Sequence, residues 1–454
     1  MKVYFIAIGG SIMHNLAIAL KLKGYDVSGS DDEIFEPAKS NLAKYNLLPT
    51  EYGWNASRVT DDIGAVVLGM HAKSDNPELL KAQDLGLKIY SFPEFIYEQS
   101  KNKTRVVIAG SHGKTTITAM IMHILKKANR DFDYMVGSSV KGFDINVRLS
   151  DTAKIIIIEG DEYPDSAINQ TPKFHIYQPS IALISGIAWD HINVYSTYEI
   201  YVDAFRKFVE LIPFNGALVH NAEDQALKVI ARNVNLNISR VAYSLPSFEI
   251  NNGITSIIHE EKKIPLKIFG RHNLQNLSGA IEVCKLLGLA EDFCYESISD
   301  FTGASRRLEI ISSSNNAVVF RDFAHAPSKL RATVSAVKEQ FPKSKLVACF
   351  ELHTYSSLDK DFLPEYYRAM SGADIKVVFY NAHTFELKRK ELIEPEFIHE
   401  AFGDRRIHVF TEKKNLELFL QKQSWRKTNL LMMSSGDFDG IDMKALATFV
   451  TSPR

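Results

Sequence analysis

The sequence predicts an α/β protein built from three successive open sheets. Three observations carry that prediction. Short apolar strands alternate with amphipathic helices along the whole chain. Three strands end in polar or glycine-rich loops that lead into helices, at residues 9–11, 110–116 and 321–327. No repeat and no low-complexity tract interrupts the alternation. A length of 454 residues allows two to four domains. We set their expected limits at 1–99, 100–304 and 305–454.

Composition narrows the class. Hydrophobic residues make up 45% and charged residues 24%, ordinary values for a globular chain. Lys and Arg number 53 against 54 Asp and Glu, so no basic field invites nucleic acid or an acidic membrane. The three cysteines, Cys284, Cys294 and Cys349, stand at no metal-ligand spacing and fit a reducing compartment. MKVYFIAIGG enters a strand directly and lacks the longer apolar run and cleavage site of a signal peptide. No stretch reaches the ~18 apolar residues of a membrane span. The expectation is a cytoplasmic enzyme without membrane insertion, as a monomer or weak homodimer.

In the first domain, residues 2–8 read as a buried strand, and Gly9, Gly10 and Ser11 turn into a helix ending near Gly24. Residues 25–28 are a second strand, followed by Gly29, Ser30, Asp31 and Asp32. This is the first half of a nucleotide-binding α/β unit. His14 stands where the third fingerprint glycine belongs, so a plain β–α turn fits equally well. Residues 65–70 form another strand, with His71 in the loop beyond it, and 88–91 a last short one. Residues 91–103 read as the exit from the domain.

The second domain opens on the most informative stretch. Residues 105–109 are a strand, 110–116 (GSHGKTT) a small-residue loop, and 117–127 a helix. That order describes a mononucleotide-binding loop, whose backbone N–H groups and helix N-terminus hold phosphate oxygens. Lys114 can reach terminal phosphates, and the Thr115 hydroxyl can ligate Mg²⁺. Ile108 stands where the longer pattern has its first glycine, so the loop is a shortened variant. Residues 154–158 (KIIII) read as a strand buried on both faces, ending at Glu159, Gly160, Asp161 and Glu162. Carboxylates there suit Mg²⁺, although a solvated acidic turn is the simpler alternative. Asp190 and His191 follow the strand 181–185; a single histidine in that place is more often packed than ligating. Helix 198–211 reads as core packing.

Farther on, 270–276 (GRHNLQN) precedes a helix expected at 277–287. Its amides are either caps or readers of a base edge. Residues 305–309 (SRRLE) open the third unit. Its strands are expected at 317–320, 345–350, 374–379, 407–410 and 430–433, and a helix at 328–339.

Together these stretches resemble the Mur ligase family, the ATP-dependent amide-forming enzymes of peptidoglycan assembly, over essentially the whole chain. GSHGKTT is similar to the family's ATP loop, EGDEY to its second acidic motif, WDH to its Asp-His motif and GRHNLQN to its H-N-x-x-N segment. SRRLE and RDFAHAP resemble the two motifs that open the C-terminal domain. The resemblance implies an N-terminal Rossmann-like UDP-binding domain, a central P-loop ATPase domain and a C-terminal Rossmann-like α/β domain. It implies ATP and Mg²⁺ as cofactors. Gly110, Ser111, His112, Gly113, Lys114, Thr115 and Thr116 would hold the phosphates, with His112 facing the muramate. Thr115 and Glu159 would hold one Mg²⁺, and His191 would serve a second. His272, Asn273 and Asn276 would lie at the adenine, Arg306 at phosphate, Asp322 at ribose and His325 nearby. Gly10, Ser11, Ser30, Asp31, Gly69 and His71 would line the UDP-sugar site. Lys114, Glu159 and His191 would be catalytic.

IGGS, VSGSD and DNPE resemble the branch that acts on UDP-N-acetylmuramate. Within it, KFHIYQP, DFAHAP and GMHAKSDNPE look more like the peptide-adding recycling members than the alanine-adding ones. Where alanine-adding members carry H-R-Y-T-R, residues 353–357 read HTYSS, with both arginines missing. The lysine that several members carbamylate to bridge two metals is replaced by Phe205, 14 residues after His191. The resemblance thus implies an EC 6.3.2-type ligase joining L-alanyl-γ-D-glutamyl-meso-diaminopimelate to UDP-N-acetylmuramate through an acyl phosphate. L-Alanine is the alternative amine. An NAD-dependent dehydrogenase, suggested by the first β–α–β unit alone, is disfavoured by His14 and by the ATP loop.

Overall fold

The computed structural model describes residues 1–452 except 71, 166–168, 190–193 and 235–236. The chain forms two compact units. One comprises Met1–Ile187, Glu199–Ser244 and Gly279–Cys294; the other comprises Ala188–Tyr198, Leu245–Ser278 and Tyr295–Arg454.

The first unit contains two sheets. Strands β1 (Lys2–Ile6), β2 (Asp26–Ser30), β3 (Ala65–Leu68) and β4 (Ile89–Ser91) pair in parallel in the order β2-β1-β3-β4. The order reverses between β1 and β3, so a crevice opens at their C-terminal ends. Gly29 lies inside β2, not in the turn after it. A Cβ there would stand 2.6 Å from the Phe5 carbonyl oxygen, so glycine lets the two strands approach. Residues 91–103, expected to leave the first domain, are largely helical. Phe92–Ser100 is a helix whose Ser91 and Glu94 form a reciprocal capping box.

The second sheet has seven strands: β5 (Thr104–Ala109), β6 (Asp133–Met135), β7 (Val147–Arg148), β8 (Ile155–Glu159), β9 (Ile181–Ile184), β10 (Ala217–Asn221) and β11 (Ser239–Tyr243). Their order is β11-β10-β9-β5-β8-β6-β7, all parallel except β7. Val106, Val107, Ile156, Ile157 and Ile158 are fully buried, as their β-branched run requires of a doubly covered strand. Helix Tyr198–Glu210 buries an aromatic face against the short helix Lys173–Ile176. The Phe205 ring centroid lies 5.3 Å from Phe174 and 5.2 Å from Tyr201.

The second unit holds an antiparallel sheet of β12 (Phe248–Asn251), β13 (Ile254–His259) and β14 (Lys262–Pro265). Periodicity gave no sign of it, because its strands are short and mostly half-exposed. A six-stranded sheet follows: β15 (Glu309–Ser313), β16 (Val318–Asp322), β17 (Lys345–Glu351), β18 (Ile375–Phe379), β19 (His408–Phe410) and β20 (Thr428–Met433). Its order is β15-β16-β20-β17-β18-β19, antiparallel only at β15. Alternate residues feed two cores. Phe320, Phe350 and Met433 face one, while Val319, Cys349 and Met432 face the other. Helix Arg271–Leu286 starts six residues before the expected position, so His272, Asn273 and Asn276 lie within its first turns rather than ahead of it.

Among the described residues no helix is long and apolar enough to cross a membrane. Phe205→Ala should empty the aromatic cluster beside the second sheet. A loss of about 3–5 kcal/mol, read from the denaturant midpoint of the first unit's unfolding, is expected.

Candidate functional site

The site grows from the C-terminal end of β5. Gly110 follows it at φ 120°, and Gly113, at φ 77°, caps helix Lys114–Lys127. A Cβ on Gly110 would lie 2.3 Å from Ser185 Oγ and 2.9 Å from its backbone nitrogen, so only glycine passes here. The loop rests on the end of β9. Ser111 N donates to Gly186 O at 3.0 Å, and the Ser185 hydroxyl donates to His112 O. Ser111 and Thr116 are buried, and His112 Nδ1 lies 2.7 Å from Ser111 O.

Pairing of β5 with β8 sets Glu159 opposite Ile108, two residues before the loop. Glu159 closes β8 rather than following it. The Thr115 hydroxyl donates to Glu159 Oε1 at 2.7 Å, and Gly137 N donates to Oε2 at 2.7 Å. A Cβ on Gly137 would sit 3.1 Å from that oxygen. Lys114 Nζ donates to Gly110 O at 2.8 Å and to Glu162 Oε2 at 2.7 Å. Burial pulls the Lys114 ammonium toward neutrality, but Glu162, Asp161 and Glu159 outweigh it and raise its pKa. Tyr201 OH donates to Glu162 Oε1 at 3.2 Å and meets Ser111 Oγ at 2.9 Å.

This donor set fits a nucleoside triphosphate with a hard divalent cation. A hydroxyl and a carboxylate on adjacent elements supply oxygen ligands. The lysine and the N-terminus of a 14-residue helix supply positive charge.

A cleft of about 380 Å³ lies beside the loop, wholly within the first unit. Ala7, Gly10, Ser11, Gly69 and Met70, at the ends of β1 and β3, line one part. Lys114, Gly137, Glu159 and Asp161 line another, with Phe92, Lys173 and Tyr177. Gly10, Ser11 and Gly69 thus share a cavity with the phosphate loop. Asp31 is instead occupied by the glycine turn. It is 3% exposed and accepts from Gly9 N at 2.7 Å and Asp32 N at 3.0 Å. Ser30 is fully buried, and its hydroxyl donates to Glu78. His71 and His191, and Asp190 beside the latter, lie outside the described residues.

The remaining expected residues belong to the second unit. Asn273 Nδ2 donates to Phe269 O at 2.9 Å, which fixes the start of its helix, and Asn276 is buried. Burial holds the His272 ring below the usual histidine range, and Asp322 opposes that shift. Asp322, at the end of β16, accepts from Leu308 N at 2.6 Å, Ala324 N at 2.7 Å and Thr333 Oγ1 at 3.3 Å. The carboxylate expected at the ribose thus accepts from three protein donors, one short of its roughly four acceptor sites. Arg306, at φ 54°, turns the chain so that its carbonyl accepts from Phe323 N at 2.8 Å. His325 Nδ1 lies 2.8 Å from Phe323 O.

Three family models match the chain in succession. They are the Mur ligase family, catalytic domain, over residues 2–104; the Mur ligase middle domain over 108–284; and the Mur ligase, glutamate ligase domain over 306–436. The UDP-N-acetylmuramate–L-alanine ligase of Caldicellulosiruptor bescii is 32% identical over 393 residues, 83% of each chain. The chain belongs to the Mur ligase family. It is an ATP-dependent acid–amino-acid ligase of the kind used in cell-wall synthesis, with that family's three-domain α/β architecture. The ligase of the same name from Clostridium botulinum is 29% identical over 436 residues, 91% of each chain. In fold, this Mur ligase resembles a murein peptide ligase from Psychrobacter arcticus, with TM-score 0.67, 22% identity, and coverage of 100% and 99% of the two chains. It also resembles a UDP-N-acetylmuramate-alanine ligase from Thermotoga maritima, with TM-score 0.72, 22% identity, and coverage of 97% and 96%.

Two residues stand out against the sequence reading of this Mur ligase. Phe205, at the carbamylated-lysine position, is fully buried among aromatic rings. Lys173 lines the cleft, yet the sequence marks it only as part of KFHIYQP.

Lys114→Ala should fold and lose ATP turnover by at least ~10³-fold, because the cation on the transferring phosphoryl group is gone. Normal phosphate release by the folded variant would overturn the role given to Lys114. Burial pushes the Asp31 carboxyl up to about 6. A folded-state value above the unfolded one means that protonation favours folding. This stability contribution is present at low pH and is lost as pH rises through about 6. A carboxyl ¹³C NMR titration should place the Asp31 midpoint near 6, not near the free value of about 4.

Proposed function

We propose that this Mur ligase uses ATP to activate the lactyl carboxylate of UDP-N-acetylmuramate and joins it to an amine. One observation carries the reading: the crevice at the ends of β1 and β3 and the phosphate loop with Lys114 and Glu159 open into a single cleft. A UDP-sugar held at Gly10, Ser11 and Gly69 would present its carboxylate where a terminal phosphate is held. The γ-phosphoryl group passes to the carboxylate and ADP leaves. The amine then displaces phosphate from the acyl phosphate, forming the amide.

The chain's own groups do the positioning. The amides of Gly110–Thr116, including Ser111, His112 and Gly113, cradle the polyphosphate, and Lys114 leaves Glu162 to neutralise its terminal oxygens. Thr115 and Glu159 would hold Mg²⁺, with His191 as a further ligand. Bound Mg²⁺ would neutralise charge on the transferring phosphoryl group. Asn273 and Asn276, beside His272, are assigned to adenine, Arg306 to phosphate, and Asp322 with His325 to the ribose side. His71 is assigned to the UDP-sugar. The proposed domain limits are 1–99, 100–304 and 305–454.

For the amine, the curated relatives favour L-alanine over the tripeptide expected from the motifs, since the 32%-identical relatives carry the L-alanine ligase name. One observation favours the tripeptide as a second reading: residues 353–357 (HTYSS) contain no arginine. Phosphate release from ATP, measured with UDP-N-acetylmuramate plus either L-alanine or L-alanyl-γ-D-glutamyl-meso-diaminopimelate, separates them. Release with L-alanine supports the first reading. Release with the tripeptide alone reverses the choice, and release with neither removes the proposed function.

A further inference from the structure

We infer that Lys173 receives the carboxylate of the sugar substrate in the cleft and makes the site specific for a carboxylate-bearing UDP-sugar. The inference rests on the function proposed above and names a residue within it.

The backbone brings Lys173 to the cleft deliberately. Beyond β8, residues 163–165 pair with residues 171–173. Asp165 N donates to Thr171 O at 2.9 Å, Pro164 and Pro172 form a bridge, Lys173 N donates to Tyr163 O at 2.9 Å, and Phe174 N donates to Asp161 O at 3.0 Å. Phe174 is then locked into the core, its ring centroid 4.7 Å from Phe208. Lys173 is thereby fixed at the start of the short helix Lys173–Ile176.

Its ammonium is poorly placed for a merely structural lysine. The side chain is 10% exposed, against 38% for its partner Asp161, whose Oδ2 it meets at 2.8 Å. The rings of Phe92 and Tyr163 flank it at 5.6 and 5.9 Å from their centroids. Taking an ammonium out of water costs several kcal/mol unless its protons are satisfied. Among the described residues Asp161 is its one hydrogen-bond acceptor, which leaves two N–H groups beside the cleft. Lys114, the other cation lining the cavity among the described residues, is engaged by Gly110 O and Glu162.

The chemistry of the cavity calls for such a cation. Glu159 and Asp161 line it, and Glu162 sits behind Lys114. A carboxylate entering beside these groups and a polyphosphate meets like charge. A fixed ammonium would offset that repulsion and aim the nucleophilic oxygen.

Calorimetry with saturating Mg²⁺ and a non-hydrolysable ATP analogue tests this. UDP-N-acetylmuramate is compared with UDP-N-acetylglucosamine, which is the same nucleotide sugar without the lactyl carboxylate. Lys173→Gln should weaken UDP-N-acetylmuramate about thirtyfold, the scale of one charge-assisted hydrogen bond, and leave UDP-N-acetylglucosamine within about twofold. Lys173→Arg, which keeps the charge should Lys173→Gln fail to fold, should retain the discrimination. Asp161→Asn should retain it too. Equal weakening of both sugars by Lys173→Gln, no weakening of either, or loss of discrimination in Asp161→Asn would overturn the assignment. A wild-type protein that binds neither sugar would instead remove the proposed function itself.

Discussion

The parallel pairing of β5 with β8 is the constraint on which the first unit's chemistry depends. Two strands in register end at the same level, so the loop after one and the acid at the end of the other must meet. Thr115 therefore reaches Glu159, and Lys114 reaches Glu162. β9 supplies the floor: Ser185 and Gly186 bind the loop backbone and leave no room for a side chain at Gly110. The sheet is buried on both faces, so this register cannot slip without exposing a β-branched core.

Electrostatics then sets the resting arrangement. Lys114 is not presented to solvent but turned onto a carboxylate and a carbonyl of its own neighbourhood. The carboxylates raise its pKa against the pull of burial, so it is a cation in its resting contacts. An anion entering the loop exchanges one ion pair for another rather than creating a new one. That limits affinity but keeps the charge oriented before the ligand arrives.

The loop and its acids were readable from sequence because local signals carry them. Glycines mark backbone turns, an isoleucine run marks a doubly buried strand, and both sit beside the reactive residues. Five strands of the six-stranded sheet were readable from their apolar runs, but the antiparallel edge strand β15, half-exposed along its length, was not. What sequence could not supply was the fate of polar residues after folding. Ser30 and Asp31 follow a glycine and look available, yet one is tied to Glu78 and the other holds Gly9 N. Asp322 stands at a strand end like a ligand-binding acid, and its oxygens also accept from backbone donors at Leu308 and Ala324 that no local pattern announces. Asn273 belongs inside a helix because its amide bonds back to Phe269. The strands β12 to β14 lacked any apolar alternation strong enough to register. Lys173 was invisible because its neighbours Phe92 and Asp161 are brought to it by tertiary folding alone.

The return of the chain after β8 ties two opposite charges to one piece of backbone. The bonds of Lys173 to Tyr163 and of Phe174 to Asp161 fasten its two flanks to each other, so the spacing of Asp161 and Lys173 is set by main chain rather than by side-chain rotamers. A residue inserted between Asp161 and Tyr163 would therefore displace an acid and a base of the cleft together.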